Sequence, residues 1–114
     1  MKDFQENINK IFDEIEIQLS AKLMTSGFKI HSKTSTPRGF GSRYTEWRNE
    51  IDKFALRLIW DGKESWFSVE ESPFSSPSPP NSWADIVVVP VDKANVIDVR
   101  YCTSMIEDII NEVQ

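Results

Sequence analysis

The most reactive side chains of the sequence belong to its one histidine, His31, and its one cysteine, Cys102. A Cys–His pair could perform nucleophilic catalysis, because the imidazole can take the proton from the thiol. The two residues lie far apart in the sequence, and we interpret them as a polar strand residue and a small apolar helix residue. A zinc site needs more ligands of these types. The sequence therefore predicts no catalytic residue, no metal and no cofactor.

Two other patterns could carry chemistry. Glu70 and Glu71 are adjacent carboxylates, but neighbours on a strand point to opposite faces and cannot act together as general acid and base. The segment Arg38-Gly39-Phe40-Gly41-Ser42-Arg43 could cradle a phosphate through its backbone N–H groups. A phosphate loop normally leads into a helix, whereas this segment lies between two strand-like stretches, so we interpret it as a hairpin loop. An enzyme of unknown type that uses this loop is our third hypothesis.

Four tryptophans, Trp47, Trp60, Trp66 and Trp83, are a high number for 114 residues. Tryptophan is a common anchor of protein interfaces and also a common filler of small cores. The spacing Pro77-Ser78-Pro79-Pro80 could dock into an aromatic groove, but a rigid loop that covers a sheet edge is the simpler interpretation. The tryptophans therefore point to protein binding only where a ring is exposed.

The clearest element that could position these side chains is an N-terminal helix from Asp3 to about Met24. Apolar residues recur there at spacings of three and four, which is typical of an amphipathic helix. Asp3 with Glu6 resembles a capping box, and Gly27 is placed to end the helix region. The residues of the apolar stripe are Phe4, Ile8, Ile11, Phe12, Ile15, Leu19 and Leu23.

Alternating strands follow the helix. Phe28 to Lys33 and Tyr44 to Ile51 form two of them, the second with Trp47 and Ile51 on one face. Asp61-Gly62 between two apolar runs then predicts a tight hairpin.

The register of this hairpin has two alternatives. A two-residue loop pairs Trp60 with Lys63 and Arg57 with Trp66, which leaves the Trp66 ring on the face away from the core. A three-residue loop pairs Leu56 with Trp66 and buries the ring. We favour the first register, because it matches apolar residues with apolar residues.

The last third of the sequence contains a Pro/Ser-rich loop over residues 72–82, a strand from Trp83 to Pro90 and a helix from Lys93. The run Ile86 to Val89 is most like a buried strand, and Asp92 is the expected N-cap of the helix. Alternatively, residues 96–101 form a strand and a shorter helix begins near Thr103. We predict one α+β domain over residues 1–114, with four to five antiparallel strands and both helices on one sheet face.

Charge is distributed unevenly along the chain. Residues 1–63 hold eleven Lys/Arg and nine Asp/Glu, whereas residues 64–114 hold only Lys93 and Arg100 against nine acids. This acidic half disfavours nucleic acid as a partner and favours a basic one. The N-terminus has no signal-peptide pattern, no apolar stretch could span a membrane, and the cysteine is single, so we expect a cytoplasmic protein.

The chain resembles, over most of its length, the small acidic immunity proteins of bacterial polymorphic toxin systems. The residues that carry the resemblance are the runs from Trp60 to Phe67 and from Trp83 to Ile86. The three tryptophans Trp60, Trp66 and Trp83 are similar to those that mark the TriTu family. The resemblance implies a protein that binds a cognate secreted toxin and blocks it.

Our leading hypothesis is therefore a cytoplasmic inhibitor or immunity protein that occludes a basic toxin domain with the open face of its sheet. A secretion chaperone or adaptor, which holds an unfolded segment of another protein, is the alternative. An anionic, aromatic surface would complement a basic active site. The predicted partner-binding residues are Glu64, Trp66, Glu70, Glu71 and Asp85.

Overall fold

The computed structural model describes residues 2–35, 41–92 and 98–113. A helix, five strands and a second helix follow one another along the chain. Their bounds are α1 Lys2–Met24, β1 Lys29–Ser35, β2 Arg43–Asn49, β3 Phe54–Asp61, β4 Trp66–Pro73, β5 Ala84–Pro90 and α2 Val99–Glu112. The strands form one antiparallel sheet in the order β1-β2-β3-β4-β5. The predicted α+β fold is confirmed, with both helices on one sheet face.

Helix α1 forms because its apolar residues share one face, and that face is buried. Ile8, Phe12, Ile15 and Leu19 have no exposed surface. The chain leaves the helix through Gly27, whose φ of 93° is a left-handed conformation that glycine adopts without strain. Because α1 already begins at Lys2, Asp3 lies inside the helix, and the predicted cap at this residue is wrong.

The inner face of the sheet, which packs against the helices, is apolar and aromatic. The strand register places Leu58 beside Val69 and Trp60 beside Phe67, and all four side chains are fully buried. The Trp60 and Phe67 rings lie 4.8 Å apart between centroids, a distance at which aromatic rings attract each other. This cross-strand packing, together with the buried face of α1, forms the core.

Polar side chains attach β1 and β2 to α1. The buried Thr45 hydroxyl donates a hydrogen bond to the Glu16 carboxylate. The same carboxylate forms an ion pair with Lys33, with 3.1 Å between Glu16 Oε1 and Lys33 Nζ. The Arg43 guanidinium donates to Asp13 at 3.0 Å. Since a buried carboxylate is costly without partners, these contacts allow Glu16 to lie under the sheet.

The β3–β4 hairpin has a register that differs from both predicted alternatives. Trp60 pairs with Phe67 rather than Lys63, and Asp61 pairs with Trp66, which leaves residues 62–65 as the loop. The shift from the favoured register is four residues, and an even shift keeps every side chain on its predicted face. Trp66 therefore lies on the outer face of the sheet, away from the helices, although its predicted pairing with Arg57 is wrong.

The side chain of Asp61 explains the longer loop. Its Oδ1 accepts the backbone N–H groups of Lys63 at 3.1 Å and Glu64 at 3.0 Å, and its carbonyl accepts the Ser65 N–H at 2.7 Å. Ser65 adopts a φ of 62° to return the chain to β4. An Asp side chain that bonds the following backbone competes with the two-residue turn that Asp-Gly alone predicts.

Strand β2 ends earlier than predicted. Its last residue is Asn49, whose Oδ1 accepts the N–H groups of Ile51 at 3.0 Å and Asp52 at 2.9 Å and so closes a turn. Ile51 lies in that turn and is 90% exposed, while Trp47 is fully buried. The prediction that Trp47 and Ile51 share one face is wrong, because the turn begins between them.

The run Ile86 to Val89 forms the edge strand β5 and not the buried strand that its composition predicts. Val87 and Val89 pack against the core, but Val88 on the outer face is 37% exposed. Continuous apolar runs are typical of central strands, so composition alone did not distinguish an edge.

Helix α2 begins at Val99, and Asp98 is its N-cap, where Asp92 was expected. The Asp98 side chain accepts the N–H groups of Arg100 at 2.8 Å and Tyr101 at 3.2 Å. Residues 99–101 are helical, so the alternative strand is wrong there, and residues 93–97 lie outside the described part of the chain. In the two described helices, no segment combines the length and apolarity that a membrane-spanning helix requires.

Candidate functional site

Beside the end that Ala55 and Ser72 occupy, the outer face of the sheet is crossed by three rows of side chains that the register brings side by side. A charged row runs through the middle, with an apolar row and then a short terminal row on one side of it. The charged row contains Glu46, Arg57, Glu70 and Asp85, the apolar row contains Tyr44, Ile59, Ser68 and Val88, and the terminal row contains Asp61, Trp66 and Pro90.

The charged row is largely neutralised by ion pairs. Arg57 donates from Nε to Glu70 at 2.6 Å, and Arg48 donates from Nε to Glu46 at 2.6 Å. Asp85 lies opposite Glu70 on the neighbouring strand and has no ion pair with any described cation. At the β5 end of the row, one carboxylate is therefore left that no cation of the described ranges compensates.

One end of the outer face is covered by the Pro/Ser-rich loop, residues 74–83. The Phe74 N–H donates to the Lys53 carbonyl at 3.0 Å, and the Ser82 N–H donates to the Ser72 hydroxyl at 3.1 Å. Ala55 and Ser72, which face outward from β3 and β4, are fully buried beneath it. The loop therefore excludes solvent, and any partner, from this end.

Two arginine side chains of the sheet contact the aromatic rings of that loop. The Arg57 guanidinium lies 4.0 Å from the centroid of the Trp83 ring, and that of Arg48 lies 5.4 Å from the Phe74 ring. Both distances are within the range of cation–π attraction. The favoured register had paired Arg57 with Trp66, whereas in the structure the Arg57 guanidinium lies against the Trp83 ring.

The other end of the outer face retains an apolar surface, which we call the outer patch: Tyr44, Ile59, Trp66 and Val88. The first three side chains are half-buried, and Val88 is exposed. Of these four residues, only Trp66 was predicted from the sequence to bind a partner. The alternation of β2 and β3 already placed Tyr44 and Ile59 on the second face, and that signal could have found them.

The five predicted binding residues do not all belong to this surface. Trp66 lies in the outer patch, Glu64 is exposed in the adjacent hairpin loop, and Asp85 is exposed at the β5 edge. Glu70 lies on the outer face but is bound to Arg57. Glu71 lies opposite Leu56 of the core, so its side chain emerges on the inner face, and the structure separates it from the other four.

The two residues considered for catalysis belong to different elements of the fold, an edge strand and the second helix. His31 is exposed on the edge strand β1, whereas Cys102 belongs to α2, which packs on α1 and β5. A cleft of about 270 Å³ is lined by His31 and Glu50, among other residues. Its described lining contains no hydroxyl or thiol side chain; it consists of Gly27, Lys29, Ile30, His31, Arg48, Glu50 and Ile51. In the described ranges, no three His, Cys, Asp or Glu side chains are arranged to hold a metal ion.

Burial raises the pKa of the Cys102 thiol above its ordinary value of 9.0, and the nearby Asp98 carboxylate raises it further. The folded protein therefore holds this proton more tightly than the unfolded chain does. The resulting contribution to stability is fully present below the unfolded pKa and is lost as pH rises through the folded pKa.

Asp98→Asn is expected to lower the Cys102 pKa part of the way, because the charge is removed while burial, the larger cause, remains. Asparagine also preserves the N-cap. The rate of iodoacetamide alkylation as a function of pH measures the pKa, with the wild type as reference. An unchanged midpoint in the variant would show that Asp98 does not act on the thiol.

No family model matches the chain, and no curated protein or solved structure shows significant similarity to it.

Proposed function

We propose that this protein is an inhibitor that binds another protein through the outer patch and occludes its active surface. The observation that carries the proposal is the partly exposed Trp66 ring, set among Tyr44, Ile59 and Val88. Interfaces concentrate their binding energy in such aromatic anchors with apolar neighbours, surrounded by a polar rim.

The charges around the outer patch favour a basic partner. Glu64 and Asp85 are exposed and form no ion pair with any described residue. Glu70, in contrast, is already neutralised by Arg57. Carboxylates without partners at a rim steer a cationic protein and fix its orientation more than they add to affinity.

The immunity proteins that the sequence resembles supply the biological class for this proposal. An anionic, aromatic surface fits the basic active site of a toxin domain, and a bound inhibitor of this size would block access to it. The residues of the outer patch are carried by four hydrogen-bonded strands, β2 to β5. Glu64, Trp66 and Asp85 are the predicted residues that keep a direct role, while Glu70 acts by holding Arg57.

Trp66→Ala is expected to weaken binding about 30-fold or more, since truncation of an aromatic anchor typically costs about 2 kcal/mol or more. The candidate partners are the proteins encoded by the genes adjacent to the one for this protein. Each is tagged and tested for co-purification with this protein at physiological salt. Titration calorimetry then compares wild type and variant, and co-expression tests whether the protein protects cells from the product that binds.

Ile17→Ala is the matched control, because Ile17 is 63% exposed on the far side of α1. It should bind as the wild type does. Failure of every adjacent product to bind, or equal affinity of the Trp66 variant, would contradict the proposal.

A second function, that of a secretion chaperone or adaptor, is favoured by one feature, the apolar edge strand β5. An exposed sheet edge can accept an extended segment of another protein as an additional strand. Hydrogen exchange distinguishes the two functions. An inhibitor protects amides around the outer patch when a folded partner binds, whereas a chaperone protects the β5 edge when a peptide binds.

A further inference from the structure

The cleft of about 270 Å³ lies at the β1 edge of the sheet, beside the turn that joins β2 to β3. Lys29 pairs with Arg48, and Arg48 pairs with the outward Ala55, so the cleft opens on the outer face. The loop 74–83 covers Ala55, but Lys29 and His31 are exposed, so the cover does not extend over the cleft. Its volume suits a small ligand or a single side chain with its terminal group.

Three basic side chains line this cleft. Lys29 and His31 are exposed and form no ion pair with any described residue. Arg48 donates from Nε to Glu46 at 2.6 Å, and its two Nη groups have no acceptor among the described residues. Ammonium and guanidinium groups only donate hydrogen bonds, and such bonds are strongest to an anion. The polar part of the cleft is therefore suited to a negatively charged group.

The charges around the cleft favour a ligand with a single negative charge. Glu46 neutralises Arg48, and Glu50, an acid of the lining, forms an ion pair with Lys53 at 3.6 Å. Lys29 is left as the cation that no described acid compensates, with the imidazole beside it as a further donor. A carboxylate matches this balance better than a doubly charged phosphate, which Glu50 would also repel.

The apolar part of the lining comes from two isoleucines. Ile51 is 90% exposed and Ile30 is 46% exposed. Covering aliphatic surface of this kind stabilises a complex in proportion to the area removed from water. A ligand that fits the whole lining therefore carries an aliphatic group next to its carboxylate.

The bulge of strand β1 falls within the cleft. The register shift between Ile30 and Ser32 leaves His31 without a paired residue on β2. Bulges are frequent beside binding sites, where they redirect a side chain, and they also disturb the ladder at an edge. This edge is therefore better suited to a ligand held by side chains than to an added strand.

We propose that this cleft binds an aliphatic carboxylate. The carboxylate accepts hydrogen bonds from Lys29 and from the Nη groups of Arg48, and the aliphatic group covers Ile51. Two sources have this chemistry: a free branched-chain acid, and the C-terminal residue of a polypeptide that ends in an aliphatic side chain. The cleft and the outer patch lie at opposite ends of the outer face, so this site does not depend on the proposed inhibitory function.

Titration of the isotope-labelled full chain with N-acetyl-leucine, followed by NMR, tests the site. Amide shifts should concentrate on residues 27–31 and 48–51. N-acetyl-leucinamide has the same shape without the charge and should bind about tenfold more weakly, because it loses the charge-assisted hydrogen bonds. Acetate, which has the charge without the aliphatic group, should also bind more weakly than N-acetyl-leucine.

Two variants assign the two parts of the ligand to residues. Lys29→Gln should weaken the binding of N-acetyl-leucine about tenfold, and Ile51→Ser about threefold. Both side chains are exposed, so the fold should be unaffected. Lys63→Gln is the matched control, since it removes an exposed lysine from the hairpin loop at the other end of the sheet. It should bind as the wild type does.

The outcomes separate the proposal from its alternatives. Shifts scattered over the surface, equal affinity for the uncharged amide, or wild-type affinity of the Lys29 variant would each overturn it. The N-acetylated tripeptide alanyl-alanyl-leucine distinguishes the two sources. Tighter binding than N-acetyl-leucine assigns the cleft to a polypeptide C-terminus, whereas equal or weaker binding assigns it to a free acid.

Discussion

Replacing Trp47 by alanine is expected to lower the free energy of unfolding by about 3–5 kcal/mol. The ring is fully buried on the inner face between β2 and α1, beside Leu56 of β3. Its Nε1 donates to the Ser20 hydroxyl of α1 at 3.0 Å. Truncation removes this bond and leaves a cavity where the helix meets the sheet. Urea denaturation followed by circular dichroism measures the loss.

Two variants show where the loss originates. Trp47→Phe retains most of the buried volume but not the donor, so its cost should approach that of one hydrogen bond plus a small cavity, about 1–2 kcal/mol. Trp66→Ala, on the outer face, should cost clearly less than Trp47→Ala, because Trp66 is only half-buried. Similar losses for Trp47→Ala and Trp66→Ala would mean that the two faces of the sheet do not differ as described.

Replacing Arg57 by alanine is expected to destabilise the protein by about 1–3 kcal/mol, because it leaves the Glu70 carboxylate without its partner. The pair is partly solvated, with side-chain exposures of 28% and 19%, so the loss should remain below that of a fully buried pair. The same change removes the cation over Trp83. We therefore also expect faster hydrogen exchange in the loop 74–83.

A double-mutant cycle with Glu70→Ala separates the two contacts of Arg57. If the ion pair dominates, the double variant should be less destabilised than the sum of the single ones. The hydrogen exchange of the loop should respond to Arg57→Ala and much less to Glu70→Ala. Purely additive energies, or a loop that exchanges equally slowly in all variants, would rule out this description of the charged row.

The order of elements follows from patterns in the sequence, because period and composition are local properties. The stripe from Ile8 to Leu19 predicts α1, and the Asp61-Gly62 pair predicts the position of the β3–β4 hairpin. The loop length was not predictable from that pair, since the Asp61 side chain bonds backbone groups beyond it. Register errors of an even number of residues preserve the faces, which is why Trp66 was assigned correctly.

The candidate site was less predictable, because it depends on contacts between distant parts of the chain. Residues 74–83 cover Ala55, and Arg57 stacks on Trp83. No local sequence pattern predicts either contact, because the residues are far apart in the sequence. Charge counts placed Glu70 among the binding residues, but its ion pair with Arg57 is visible only in three dimensions. The edge position of β5 could likewise not be predicted from the sequence, because its aliphatic run is typical of a central strand.

The loop 74–83 covers only one end of the outer face, so substitutions on this face fall into two kinds with different consequences. Beneath the loop, substitutions at Ala55 or Ser72 disturb packed atoms and therefore act on the fold itself. At the other end, Tyr44, Ile59 and Trp66 can vary while the supporting sheet is unchanged. A chain of this design can acquire a new binding preference without a new scaffold.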